Sequence, residues 1–157
     1  MCHAPFCFGG ENMADENETG RIYVAAKGIV MNDGKPLILR RSDWKKQDGG
    51  DWWEFRGGTM IYGETPEQTL VREMKEETGL CVTPVKLLYA WTVKRPGNCQ
   101  VVILTYFCNC MDMSQVRLSE EHTGFLWADS AQMRQMLGDD IIEALDANNV
   151  WNILETE

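Results

Sequence analysis

Positive charge is scarce in this chain. Its 15 Lys and Arg residues face 24 Asp and Glu residues, which gives a formal net charge of −9. A general nucleic-acid binder first neutralises backbone phosphates with cationic side chains, so the composition argues against a duplex nucleic-acid partner. An acidic chain does suit a protein that holds metal cations.

Long apolar runs are also absent. The longest, such as residues 101–108, falls well short of the roughly 20 residues that cross a bilayer. The N-terminus lacks the basic and then apolar order of a signal peptide. We therefore expect no membrane span and a cytoplasmic location.

Cysteines are too few and too irregularly spaced for a disulfide scaffold. The six cysteines stand at positions 2, 7, 81, 99, 108 and 110, and reduced thiols are the simpler interpretation. Cys2, His3 and Cys7 could form part of a metal site, but a fourth ligand is missing from the pattern and the spacing matches no common zinc module. The purpose of this group stays open.

Composition along the chain separates a short leader from one folded domain. Residues 1–20 mix Gly, Asn, Glu and Asp with little periodicity, which predicts a flexible leader. The remaining residues, 21–157, have the length and apolar content of a single domain that buries a core.

The order of secondary structure predicts an α/β (α+β) fold with a mixed sheet and helices packed on it. Turn-forming residues at 32–34 and at 95–98 separate predicted strands. Residues 42–51 are polar and predict a loop, and Gly57-Gly58 are expected to break a strand. The predicted strands are 22–31, 36–40, 52–55, 81–93, 100–108 and 125–128. The predicted helices are 66–78, a second from a cap at Asp129 or Ser130 through Leu137, and 139–147.

The first of these helices has the clearest signals. Thr65 is a natural N-cap, Pro66 suits the first helical position, and Gly79 suits the left-handed residue beyond the last turn. Leu70 and Met74 recur at helical spacing and predict the buried face.

The same helix carries three clustered glutamates. Glu73, Glu76 and Glu77 stand at i, i+3 and i+4, so their carboxylates lie on one side within about a turn of each other. Like charges so placed repel, unless solvent screens them or a bound cation uses them. A solvated helix face is the common explanation of such a cluster, while hard divalent ions such as Mg²⁺ take carboxylate oxygens.

Context favours the metal interpretation. The segment from Gly58 to Leu80 is similar, position for position, to the Nudix box of the Nudix hydrolase family. The matching residues are Gly58, then after five residues Glu64, then after seven residues Arg72-Glu73-Met74-Lys75-Glu76-Glu77-Thr78-Gly79-Leu80. The resemblance implies an α/β/α sandwich with a central mixed sheet, and hydrolysis of a diphosphate bond that depends on Mg²⁺, with Mn²⁺ as an alternative.

The resemblance also implies roles for individual residues. Arg72 pairs with Glu64 to hold the shape of the box. The catalytic base is expected to be Glu73 first and Glu121 second, since the base in this family is often a glutamate of the box or of a later loop. His122, beside that second candidate, is expected to be an exposed loop residue. The implied metal ligands are Glu73, Glu76, Glu77 and the carbonyl of Gly58.

Residues ahead of the box resemble one branch of the family, which removes oxidised nucleoside triphosphates such as 8-oxo-dGTP. The similar segments are Ile38-Leu39-Arg40-Arg41 and Trp53-Glu54-Phe55-Arg56-Gly57-Gly58. In that branch the second arginine contacts phosphates, which implies a substrate-binding role for Arg41, together with Trp53 and Phe55. Arg56 departs from the pattern, because the branch normally has Pro before the two glycines.

Recognition of a base is less well determined by the sequence. Trp52, Trp53, Trp91 and Trp127 could stack on a flat ligand, although most are expected to be core residues. The pair Asp139-Asp140 could bond a purine edge or cap the last helix.

Three functions therefore compete. The first is hydrolysis of a nucleoside triphosphate to a monophosphate and pyrophosphate, which the segment Trp53-Glu54-Phe55 ahead of the box favours. The second is hydrolysis of a linked diphosphate such as ADP-ribose or a dinucleoside polyphosphate, and the third is a non-catalytic nucleotide-binding module, which would need a broken box. We expect a nucleotide-like small-molecule partner and either a monomer or a homodimer.

Overall fold

A computed structural model describes residues 20–45, 51–114 and 116–155, and for residues 42–45 it describes the backbone only. The leader predicted for residues 1–20, with its Cys2, His3 and Cys7, therefore lies outside the described residues except for Gly20. Within the described residues, no helix is long and apolar enough to cross a membrane.

A mixed sheet forms the centre of the fold. Among the described residues its strands are β1 (Arg21–Asn32), β2 (Lys35–Lys45), β3 (Asp51–Glu54), β4 (Arg56–Thr59), β5 (Val82–Arg95), β6 (Cys99–Cys110) and β7 (His122–Trp127). The main path runs β3-β2-β1-β6-β5, while β4 pairs with β1 and β7 pairs with β2. The β1 and β6 pair is parallel and the other pairs are antiparallel, which confirms the predicted mixed sheet.

Helices cover both faces of this sheet. They are α1 (Pro66–Thr78), α2 (Ser130–Met136), α3 (Asp139–Ala147) and α4 (Trp151–Leu154). Successive residues of a strand point to opposite faces, and β1 accordingly sends Ile29 into one core cluster and Val30 into the other. The first cluster contains residues of α2, α3 and α4, and the second contains Leu70 and Met74 of α1. This arrangement is the predicted α/β/α sandwich.

Helix α1 follows the sequence prediction at both ends. The Thr65 hydroxyl accepts a hydrogen bond from the amide of Gln68, and the Gln68 side-chain oxygen accepts one from the amide of Thr65. Gly79 ends the helix with φ 73°, in the left-handed region. The end of α1 is thus fixed by local chemistry, which sets the direction of its three glutamates.

Two predicted strand boundaries were wrong, and one helix was not expected. Strand β2 continues through Lys45, where a loop was expected from residue 42, and β7 begins at His122, three residues before the expected start at Phe125. Helix α4 was not predicted at all; it is a single turn that buries Trp151 and Leu154.

The two glycines at the start of the box, Gly57 and Gly58, do not break a strand. Gly57 and Gly58 lie inside β4, opposite Lys27 and Ala26 of β1. Gly57 has φ 136°, and a Cβ there would overlap the carbonyl oxygen of Ala26. Glycine is present because only a residue without a side chain lets β4 approach β1 this closely.

Candidate functional site

A cleft lies between the glutamate face of α1 and the ends of the central strands. It has a volume of about 350 Å³, in the range of small-ligand sites. Its lining includes carboxylates from α1 and from the segment before β7, cations of β1, β2 and β4, and an aromatic side chain of β3. These residues are Glu73, Glu77, Glu121, Lys27, Arg41, Arg56 and Trp52.

At the floor of the cleft, one buried carboxylate is surrounded by cations. The Lys27 ammonium donates to Glu54 Oε2 at 3.0 Å, Arg56 donates to Oε1 at 3.1 Å, and Arg41 Nη1 lies 3.5 Å from Oε1. Burial alone would raise the pKa of Glu54, but the positive charges of Lys27 and Arg56 outweigh it and place the pKa at about 2. This carboxylate is therefore ionised at any physiological pH.

Arg56 joins that floor to α1. Its side chain is 3% exposed and forms ion pairs with Glu54 and with Oε1 of Glu77. It also contacts His122 Nε2 at 2.7 Å. Since an arginine is always a donor, the ring nitrogen of His122 must be the acceptor, which makes this histidine neutral. We name this group, Glu54, Arg56, Glu77 and His122, the inner network.

The electrostatics of His122 agree with this assignment. The side chain is 5% exposed, and burial together with the charge of Arg56 lowers its pKa to about 4. Its other ring nitrogen, Nδ1, lies 3.3 Å from the Ser119 hydroxyl. The expectation that His122 is an exposed loop residue was wrong, because β7 starts at this residue and pairs it with Arg41.

A second arginine organises the carboxylates on the outer side of α1. Arg72 donates to both oxygens of Glu64, at 2.6 and 3.0 Å, and to Glu73 at 2.5 Å and Glu76 at 3.3 Å. The hydrogen bonds from Arg72 and from Thr69 lower the pKa of Glu64 to about 2. We name this group, Glu64, Arg72, Glu73 and Glu76, the outer network. The pairing of Arg72 with Glu64 is the contact that the box predicted.

Gly58 leaves room for the carboxylate of Glu73. A Cβ at position 58 would overlap the carboxylate carbon and both carboxylate oxygens of that glutamate. A residue with a side chain could stand here only if Glu73 moved. The glycine thus has a steric role beside the carbonyl ligand expected of it.

The donor atoms of the site fit a hard divalent ion. Glutamate oxygens and a backbone carbonyl are the ligand types that Mg²⁺ and Mn²⁺ accept. Glu77 Oε2 is buried without a hydrogen-bond partner, so one carboxylate oxygen of the site makes no hydrogen bond to the protein. Glu73, Glu77 and Gly58 all line the cleft, whereas the side chain of Glu76 is 60% exposed and bonded to Arg72.

The three glutamates do not converge on one point, however. Within the part of the chain that the structure describes, no three His, Cys, Asp or Glu side chains form a group that could hold a metal. The two arginines explain this arrangement, because Arg72 draws Glu73 and Glu76 outward while Arg56 holds Glu77 inward. The assignment of Glu73, Glu76, Glu77 and Gly58 as metal ligands stays a prediction.

The segment before β7 is attached to the end of α1. The amide of Arg117 donates to the carbonyl of Thr78 at 2.8 Å, and the amide of Ser119 donates to that of Glu77 at 3.1 Å. These bonds satisfy carbonyls that the last turn of a helix leaves unpaired. They also place Glu121 at the cleft, on the side of Glu77.

The structure places only one of the three predicted substrate residues at the cleft. Arg41 lines the cleft, as expected of a phosphate contact. Phe55 is 3% exposed in the core and reaches only a smaller adjoining cavity, and Trp53 packs against the same core. Trp52 lines the cleft in place of Trp53, and Arg95 lies over its ring at 6.0 Å from the centroid. Substrate binding by Trp53 and Phe55 receives no support from this placement.

The aspartate pair lies at the start of α3. Asp139 and Asp140 occupy the first turn, and the N-cap is Gly138. Asp140 accepts a hydrogen bond from the amide of Ile141 at 2.9 Å and lines the smaller cavity beside Trp52. Neither residue is the cap itself, although both place negative charge where a helix N-terminus favours it.

Comparison with known proteins covers most of the chain. The sequence profile of the NUDIX domain matches residues 22–146. The 8-oxo-dGTP diphosphatase of Proteus vulgaris is 38% identical over 68 residues, which are 43% of this chain and 59% of that protein. The RNA pyrophosphohydrolase of Actinobacillus succinogenes is 43% identical over 63 residues, which are 40% of this chain and 30% of that protein. The matched part thus spans less than two thirds of either relative.

Solved structures share the fold at lower sequence identity. The MutT protein of Methanosarcina mazei superposes with a TM-score of 0.73 at 20% identity, covering 85% of this chain and 97% of that one. The ORF135 protein of E. coli gives 0.69 at 23% identity, covering 85% and 92%. With the box geometry and the match over residues 22–146, the chain belongs to the NUDIX domain family.

Proposed function

We propose that this protein hydrolyses a nucleoside triphosphate to the monophosphate and pyrophosphate with Mg²⁺ as cofactor, and that its substrates include oxidised purine nucleotides such as 8-oxo-dGTP. The observation that carries the proposal is the cleft itself. It brings the box carboxylates Glu73 and Glu77 and the cations Lys27 and Arg41 to one cavity of nucleotide size. A cytoplasmic location suits such a substrate.

The charges of the cleft match a polyphosphate that arrives with a cation. Lys27, Arg41 and Arg56 line the cleft and supply positive charge around Glu54. When bound, a divalent ion neutralises the diphosphate and lowers the pKa of the attacking water. Water then adds to phosphorus as the bond to the pyrophosphate oxygen breaks, so the pyrophosphate leaves with the bonding electrons.

Two carboxylates are placed to take the proton from that water. Glu73 lines the cleft and is held by Arg72, and Glu121 lines the cleft from the segment attached to α1. A base must lie within hydrogen-bond reach of the water, and both residues face the same space. Glu73 ranks first because Arg72 fixes its orientation.

The base of the nucleotide has a matching surface in the same cleft. Trp52 offers an aromatic face to the cleft, and the Arg95 guanidinium lies against the same ring. Flat heterocycles stack on such faces. The 8-oxo-dGTP diphosphatase of Proteus vulgaris supports the choice of substrate, since its matched segment is 38% identical.

The proposal is tested by measuring products with Mg²⁺ from nucleoside triphosphates, 8-oxo-dGTP, ADP-ribose and a dinucleoside polyphosphate. Phosphate is measured with and without added pyrophosphatase, so that released pyrophosphate is distinguished from released phosphate. Glu77→Gln is run in parallel, with Glu143→Gln as its matched control on the exposed side of α3. We expect pyrophosphate from a triphosphate, lost in Glu77→Gln and retained in Glu143→Gln.

Other outcomes separate the alternatives. Turnover of ADP-ribose alone, detected as new phosphomonoester after phosphatase treatment, would replace the substrate and keep the chemistry. Equal activity in Glu77→Gln and the wild type would mean that the reaction does not need this carboxylate of the box. Binding of nucleotides without turnover of any would leave a non-catalytic module.

A second substrate class is favoured by the relatives named RNA pyrophosphohydrolases. The protein from Actinobacillus succinogenes is 43% identical over its matched segment. A short RNA with a 5′-triphosphate presents the same diphosphate bond as a free nucleotide. Its release of pyrophosphate, compared with that from the matching nucleoside triphosphate, decides which of the two the cleft prefers.

A further inference from the structure

Arg56 places a permanent positive charge inside the site that is expected to bind a metal. Its guanidinium pairs with Oε1 of Glu77, while Oε2 of the same carboxylate has no partner. A divalent ion at Glu77 would therefore lie close to a cation that is already bound to the same group.

Arg56 has little freedom to leave. Its side chain is 3% exposed, and three partners surround it: Glu54, Glu77 and His122. The ring of His122 is in turn oriented by Ser119. The charge is held by contacts from β3, α1 and β7, so it is a fixed feature of the site and not a surface arginine that rotates away.

Glu54 does not relieve this charge. It already receives Lys27 at 3.0 Å and has Arg41 at 3.5 Å, so three cations share one carboxylate. Glu77 is consequently the second carboxylate in direct contact with Arg56, while Glu121 and Glu73 act on its charge from farther away. Competition between Arg56 and a metal for Glu77 follows directly from these contacts.

We propose that Arg56 is a resident counter-ion of the metal site, which neutralises Glu77 before metal binds and so weakens the intrinsic affinity for a divalent ion. The inference rests on the proposed function, because it takes Glu77 as a metal ligand. Arg56 acts here as a positioning residue. It keeps a buried carboxylate in place without metal, and it makes the negative charge of a bound polyphosphate necessary for tight metal binding.

The test measures binding of Mn²⁺ alone, by electron paramagnetic resonance of the free ion, with no substrate and no turnover. Wild type is compared with Arg56→Met, which removes the charge at similar length, and with Arg56→Lys, which retains it. Arg134→Met is the matched control, since Arg134 is an exposed arginine of α2 whose side chain is 49% exposed.

Removal of a unit charge this close to a divalent ion should strengthen binding substantially. We expect the Mn²⁺ dissociation constant to fall at least about tenfold in Arg56→Met, and to stay within about threefold of wild type in Arg56→Lys and Arg134→Met. A role in shape alone would give the opposite pattern, with weaker binding in both Arg56 variants.

Failure of folding does not leave the question open. If Arg56→Met does not fold without metal, Arg56→Gln, which is neutral but can still donate to Glu77, should show the same strengthening. An unchanged or weaker Mn²⁺ affinity in the neutral variants overturns the inference while leaving the proposed function intact. Absence of Mn²⁺ binding in the wild type and in every neutral variant would instead contradict the assignment of Glu77 as a metal ligand, on which the proposed function depends.

Discussion

Arg56 and Arg72 each bind glutamates of α1, but water reaches them very differently. The side chain of Arg56 is 3% exposed in the inner network, and that of Arg72 is 28% exposed in the outer network. Arg72 has near-ideal two-point contact with Glu64, at 2.6 and 3.0 Å. The arginine with the better hydrogen-bond geometry is thus the one that solvent screens more.

This difference in exposure means that one network mainly orients side chains and the other mainly affects the stability of the fold. Screened ion pairs contribute little to folding, so the outer network mainly orients Glu73 and Glu64. Buried charges are costly unless every partner is present, so the inner network is where loss of one group has a large effect. Helix α1 therefore contributes glutamates to both networks. The outer network has well-defined geometry but adds little stability, whereas the inner network loses much stability when one member is removed.

The largest expected effect is loss of stability when the inner network is broken. Arg56→Met leaves Glu54 and Glu77 with fewer partners in a buried setting, and removal of one member of such a pair costs about 3–5 kcal/mol. Urea unfolding of the metal-free protein at neutral pH measures this cost. A loss no larger than that of an exposed ion pair would mean that water reaches the inner network after all.

Gly58 packs against the outer network, because it leaves the space that Glu73 occupies. Gly58→Ala should push that carboxylate aside and lower kcat/KM about a hundredfold, as a shift of about 1 Å commonly does. Steady-state kinetics measure the effect, and Gly124→Ala is its control, since a Cβ at Gly124 would meet only ordinary contacts, the nearest at 3.6 Å. Equal kinetics for the two variants would contradict the steric role of Gly58.

The inner network should also make stability depend on pH. The pKa of His122 is lowered from an ordinary 6.5 to about 4, so between these values the unfolded chain binds a proton that the folded chain does not. Stability contributed by neutral His122 is present above pH 6.5 and is lost as the pH falls toward 4, with a slope that approaches about 1.4 kcal/mol per unit. His122→Gln should remove this part of the slope.

Urea titrations at several pH values measure that slope in the wild type and the variant. The lowered pKa values of Glu54 and Glu64, both about 2, act in a separate and more acidic range, below their ordinary 4.5. A slope between pH 6.5 and 4 that is identical in His122→Gln would assign it to other groups.

The smallest expected effect belongs to the outer network. Arg72→Gln removes four hydrogen bonds to glutamates, but solvent screens them, so its urea midpoint should shift by less than about a third of the shift in Arg56→Met. The same denaturation series measures both. A shift as large as that of Arg56→Met would erase the distinction between the networks.

The sequence predicts what depends on neighbours along the chain. Thr65, Pro66 and Gly79 determine both ends of α1 by local bonding, so its bounds and its buried face agree with the structure. The contact between Arg72 and Glu64 was expected for a related reason, since both lie in one recognisable segment. Membership of the family follows from that same segment.

The features of the site that the sequence did not predict depend on contacts between residues that are far apart in the chain. Nothing near Arg56 in the chain indicates that it meets Glu77 of α1 and His122 of β7. Whether Trp52 or Trp53 faces the cleft is decided by the register of β3, which pairs Trp53 with Arg40. The one useful signal was that an arginine stands where proline is usual, which marked the position without revealing its partners.

The bonds from Arg117 and Ser119 to the last carbonyls of α1 determine where this fold tolerates added length. Residues 111–114 follow β6 and precede those bonds, so extra residues inserted there would leave the attachment of Glu121 to α1 intact. Extra residues after Ser119 would separate Glu121 from that attachment. Variation in loop length is therefore compatible with the cleft upstream of Arg117 and incompatible with it downstream of Ser119.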